Sequence, residues 1–92
     1  MRADVNTSAK EDITTWLVDY LARILETDPA EIDPVVHLGE YGLDSAGAAG
    51  LSADLQDWLG VPLKESIAFD HPTIEELSEH VATILSGQVR HD

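Results

Sequence analysis

The chain contains no cysteine. That excludes a disulfide framework and any thiolate-held metal site. It also has little positive charge: five Lys and Arg stand against eighteen Asp and Glu, a formal net charge of −13. Nucleic-acid binding needs cations to neutralise phosphate, so nucleic acid is excluded as a partner. An anionic membrane surface is excluded on the same ground. No stretch approaches the roughly 18 apolar residues of a membrane span. The segment Met1 to Ser8 holds no apolar run, so no signal peptide is expected there and a cytoplasmic protein is. Internal repeats and low-complexity tracts are missing as well. The four histidines, His37, His71, His80 and His91, are scattered, and no His/Asp/Glu set has metal-ligand spacing.

What remains is a chain of 92 residues, 43% apolar, enough for one domain with a modest core. A chain this short and acidic is expected to be a monomer. The charge is unevenly placed. No Lys or Arg occurs between Arg23 and Lys64, while Glu26, Asp28, Glu31, Asp33, Glu40, Asp44, Asp54 and Asp57 all do. A solubilising surface is the plain reading. A basic protein partner drawn in by the field is the functional one.

The hydrophobic pattern is helical throughout. Ser8 and Glu11 form a capping box, with Ser8 as the expected N-cap. Ile13, Trp16, Leu17, Tyr20, Leu21, Ile24 and Leu25 then recur on one face of a helix over about 9–26. Asp28-Pro29 reads as a second helix start that Asp33-Pro34 ends at once. A long loop follows through Gly39 and Gly42. The second helix spans 45–59 and stops at Gly60, with Ala48, Leu51, Leu55 and Leu59 inward. Leu63, Ile67 and Phe69 mark a short helical turn. Thr73 and Glu76 form another capping box, and Ile74, Leu77, Val81, Ile84 and Leu85 give a last helix ending near Gly87. The expected fold is all-α: a small four-helix bundle of three longer helices and one short one, with a long first loop. The domain is expected over 9–87, between flexible tails at 1–8 and 88–92. His80 reads as a boundary residue, His71 as part of the turn before Pro72, and Trp16 and Trp58 as packing.

The candidate site is Ser45, at the junction of loop and helix in Gly42-Leu43-Asp44-Ser45. Ser and Asp are both ordinary N-cap residues, so a plain helix cap explains the local spacing. Two features point further. A helix N-terminus favours an anionic group, and a phosphate ester on Ser45 would lie in that field. Opposite the leucine stripe, moreover, Ala46, Ala49, Gly50, Ala53 and Asp57 form a small, smooth face, with Asp44 and Asp54 along its length. Gly50 costs that helix about 1 kcal/mol against Ala, which fits a surface approached closely by a partner. Ser45 is not placed as a hydrolytic nucleophile. The nucleophile elbow needs Gly two residues before the serine, and Leu43 stands there.

Gly42-Leu43-Asp44-Ser45 followed by a helix resembles the phosphopantetheine attachment motif of acyl carrier proteins. Phe69-Asp70-His71-Pro72-Thr73 is similar to the segment that opens the last helix in carrier domains of polyketide and related assembly lines. The resemblance spans about residues 10–86. It implies a non-catalytic carrier in polyketide, lipid or related specialised-metabolite biosynthesis. It further implies 4'-phosphopantetheine on Ser45, placed there from coenzyme A by a phosphopantetheinyl transferase, and acyl groups held as thioesters. The second helix would be the recognition helix, with Leu43, Asp44, Ala46, Gly50, Asp54 and Asp57 as its contacts. Asp44, where peptidyl carriers usually have His, favours acyl cargo. Gly50, where carriers of fatty-acid synthesis usually have an acid, argues against docking to primary fatty acid synthase enzymes. Leu51 to Gly60 is similar to carriers paired with fatty-acyl-AMP ligases, so the expected partners are such a ligase or an acyltransferase, followed by synthase or tailoring enzymes with basic patches. The alternative is an acidic helical interaction domain of the same fold that is never modified.

Overall fold

Period-3.6 apolar patterning with strong start and stop signals produces four α-helices. The computed structural model describes the backbone of residues 4–89 and the side chains of 9–86. In chain order they are α1 (Asp4–Leu25), α2 (Ser45–Leu59), α3 (Ile67–Asp70) and α4 (Ile74–Val89). Among the described residues there is no strand; one isolated antiparallel bridge pairs His37 with Thr73. No helix among them is long and apolar enough to cross a membrane.

The all-α expectation holds, and α2 matches its expected span. Two boundaries move outward. The backbone of α1 is already helical at Asp4, so Ser8 lies inside the helix instead of at its N-cap, and the expected N-terminal tail overlaps α1. A capping box lowers the free energy of one start but does not forbid an earlier one. Asp4 is itself a favourable residue at a helix N-terminus. The Ser8 side chain lies outside the described residues, as do residues 1–3 and 90–92 of the expected tails. At the other end α4 continues past Gly87 to Val89.

The core is one aliphatic cluster. Ile13, Leu17 and Leu21 of α1, Leu51 and Leu55 of α2, and Ile74, Leu77 and Val81 of α4 are almost fully excluded from water. Each such side chain contributes about 1.5–3 kcal/mol of burial. Ile67 and Ala68 bring α3 into the same cluster. Ile24 and Leu25 do not join it: they are 50% and 37% exposed. The apolar period of α1 outruns its packing by one turn, and Ala22 closes that end. Trp58 packs on Trp16 as expected but stays 46% exposed, and Leu59 is half-buried.

The first loop is structured. It holds two 3-10 turns, at Pro29–Glu31 and Leu38–Tyr41. Their start signals are local. Asp28 accepts from the Ala30 N–H, and His37 Nδ1 accepts from the Gly39 N–H. Ile32 and Leu38 are buried as anchors. The Leu38 N–H donates to the Pro72 carbonyl at 2.7 Å, and the Glu75 N–H donates to the Pro34 carbonyl at 3.0 Å. The loop is thereby tied to the start of α4. Thr73 caps that helix as its capping box predicts, accepting from the Glu76 N–H at 3.1 Å.

Candidate functional site

The second 3-10 turn ends at Gly42, whose φ of +85° is a left-handed conformation that a side chain would strain. Leu43 then turns inward, half-buried against the core. Asp44 is extended and is the N-cap of α2: its Oδ1 accepts from the Gly47 N–H at 2.8 Å, and its carbonyl accepts from the Ala48 N–H at 2.8 Å. Ser45 is therefore the first helical residue and not the cap. The capping role falls to Asp44, which leaves the exposed Ser45 hydroxyl uncommitted. The Ser45 and Ala46 N–H groups remain open at a helix end that favours negative charge.

Gly47 is part of this arrangement, though sequence reasoning passed over it. A Cβ there would lie 2.9 Å from Leu43 Cδ1 and 3.3 Å from Asp44 Oδ1. Glycine lets Leu43 fold over the first turn of α2. A shallow apolar groove of about 110 Å³ opens beside it, lined by Leu38, Leu43, Ala48, Ala68, Phe69 and Pro72. Phe69 is 57% exposed along its edge. The groove is well below the roughly 300 Å³ at which ordinary small-molecule sites begin.

The other sequence-named residues divide. Ala46, Gly50 and Asp57 are exposed on α2, and a Cβ at Gly50 would meet nothing within 4 Å. Asp54 is exposed as well. It does not stand free beside the alanines: its Oδ2 accepts from the Tyr20 hydroxyl at 2.8 Å and so ties α2 to α1. Burial, and next that hydrogen bond to the carboxylate, push the Tyr20 phenol up to about 12. Ser52, a second serine on α2, is 2% exposed and donates to the Ala48 carbonyl at 3.0 Å. It is closed to modification.

The histidines take structural places. His37 spends Nδ1 on the cap of the second 3-10 turn. His71 and His80 stack with ring centroids 3.9 Å apart, pinning the α3–α4 turn to α4. Burial first, and then the neighbouring His71, lower the His80 pKa from its ordinary value. Among the described residues no three His, Asp or Glu side chains gather to hold a metal. The His71–His80 stack joins a turn to a helix and follows no hydrophobic period.

Comparison with known proteins identifies the family. Residues 15–81 match the family described as the phosphopantetheine attachment site. The acyl carrier protein TtuC of Teredinibacter turnerae is 36% identical over 76 residues, which cover 83% of this chain and 87% of that protein. A phenolphthiocerol/phthiocerol polyketide synthase of Mycobacterium tuberculosis is 35% identical over 75 residues, 82% of this chain but 4% of the synthase polypeptide. The crystal structure of a free-standing peptidyl carrier protein from an Acinetobacter baumannii secondary metabolic pathway superposes with a TM-score of 0.76 at 32% identity. That superposition covers 83% of this chain and 95% of the other. The shared fold, the similar relatives and the family match lead to one conclusion: the chain belongs to the phosphopantetheine attachment family, the non-catalytic carrier domains whose prosthetic group is 4'-phosphopantetheine.

Proposed function

We propose that Ser45 is the attachment point of 4'-phosphopantetheine and that the chain presents acyl groups to enzymes of a polyketide, lipid or related specialised-metabolite pathway. The observation that carries the proposal is the division of labour at the start of α2: Asp44 caps the helix while Ser45 stands exposed with its hydroxyl free. The residues fit the group. An anionic ester on Ser45 would lie at the positive end of a helix 15 residues long, where the first N–H groups have no partner within the helix. When bound, the group supplies a thiol that holds acyl cargo as a thioester.

The chain's own part is to offer an oxygen. The Ser45 hydroxyl becomes the ester oxygen to phosphorus, its proton passes to a base of a phosphopantetheinyl transferase, and the nucleotide portion of coenzyme A leaves. Magnesium belongs to that enzyme. Leu43, Asp44 and Ala46 border the serine and form the surface the transferase reads, while Gly50 and Asp57 extend it along α2. Asp54 contributes charge from the α1 side. An acyl-loading enzyme, either a fatty-acyl-AMP ligase or an acyltransferase, and downstream synthase or tailoring enzymes with basic patches are the further partners. Asp44 in the position before the serine favours acyl over aminoacyl cargo. The proposed setting is a monomer in the cytoplasm.

The test is an intact-mass measurement after incubation with coenzyme A, magnesium and a broad-specificity transferase. The proposal requires a gain of one phosphopantetheine, absent from Ser45→Ala. An unchanged mass would support the unmodified interaction domain instead.

A further inference from the structure

On the seam between α1 and α2, away from Ser45, three aromatic rings form a ladder. Trp16 lies in the middle, stacked on Tyr20 at 5.1 Å and 16° and on Trp58 at 5.3 Å and 12°. At the Tyr20 end, the Arg23 guanidinium sits 5.6 Å from the ring centroid. That is within the range of a cation–π contact. The Trp58 end has an indole 46% exposed, covered on one face by Trp16.

We propose that the open face of Trp58 is a docking point for an arginine of a basic protein segment. Four observations converge on that occupant. The ladder itself already takes a guanidinium at its other end. Asp54 and Asp57 stand one turn before and immediately before Trp58 on α2, within a stretch that holds no Lys or Arg from residue 24 to 63. The indole is held in place by its stack, so little side-chain freedom is lost on binding. A second copy of this chain is the wrong partner, because each copy carries −13 and repels the other.

The position sets the centre of this surface apart from Ser45. At about 100° per residue, Trp58 lies roughly 140° around the helix from Ser45 and about 20 Å along it. A segment held at Trp58 leaves the Ser45 hydroxyl open, although Asp57 borders both surfaces.

Hexa-arginine is the probe, titrated into the unmodified chain while the two indole N–H resonances are followed by NMR. Whether Ser45 ever carries an arm does not affect the outcome. The expected result is a saturable shift of the Trp58 resonance, with weaker binding and a smaller shift for hexalysine of equal charge. Trp58→Leu then lowers affinity about fivefold, and Trp58→Phe, which keeps a ring, restores most of it. Amide dispersion checks that both variants are folded. Equal affinity of wild type and Trp58→Leu overturns the proposal, as does an equal Trp58 shift with hexalysine, or a Trp58 shift produced by concentrating the chain alone.

Discussion

The two glycines that flank Ala48 and Ala49 on α2 do different things. At Gly50 an added methyl meets open space, so Gly50→Ala should stabilise the fold by about 0.5–1 kcal/mol, read as a higher midpoint in urea. At Gly47 the methyl meets Leu43, so the same helix-propensity gain is offset by displacement of that side chain. Gly47→Ala should therefore give little or no stabilisation and move the Leu43 methyl resonances. If the two substitutions behave alike, Leu43 does not lie over the first turn. Asp54 and Asp57 are likewise unequal despite their equal charge. Asp54 is bonded to Tyr20, whereas Asp57 is exposed with no such tie. Asp57→Lys should weaken partner-enzyme transfer at unchanged stability. Asp54→Lys should lower both, because it also removes a hydrogen bond worth about 1 kcal/mol.

At the scale of elements, legibility in the sequence followed the range of the interactions. α2 was readable closely because its signals are local: Asp44 and Ser45 at one end, Gly60 with a φ of +71° at the other. Thr73 was readable as a cap for the same reason. The all-α bundle and the serine at its loop–helix junction were also legible. Which of Asp44 and Ser45 caps the helix was not, since both suit the role and only the geometry chooses. The early start of α1 was missed because propensity alone does not fix a terminus. The Trp16–Trp58 and Tyr20–Asp54 pairs join distant segments, and no periodicity encodes them or the His71–His80 stack. The last pair makes a prediction of its own. The His80 pKa is lowered in the folded state by burial and by His71, aided by Lys64 and opposed by Asp70. The unfolded chain therefore takes up the proton first as pH falls below about 6.5. The stack's contribution is present at neutral pH and is lost on acidification. Between about pH 7.5 and 5.5, His80→Gln should lose less stability than wild type, measured by thermal unfolding. A steeper loss in the variant would show that the stack is not the sensitive element.

Over the whole molecule the excess of negative charge dominates. Among the described residues one ion pair, Lys64 with Asp70 at 3.8 Å, is found, and both partners are largely exposed. Self-repulsion thus outweighs pairing. Raising salt to about 0.5 M shortens the screening length to a few ångströms and should raise the thermal midpoint. The same salt should slow association with basic partners. A midpoint that falls with salt would mean that attractive pairs, not repulsion, set the balance. The proposed attachment at Ser45 rests on a single oxygen. The absence of Lys and Arg between Arg23 and Lys64 means that trypsin releases Ile24–Lys64 as one peptide, containing both Ser45 and Ser52. Fragmentation of that peptide by tandem mass spectrometry, after treatment with coenzyme A and a transferase, should place the phosphopantetheine on Ser45. Modification at Ser52 or at another hydroxyl, or none at all, would contradict the assignment.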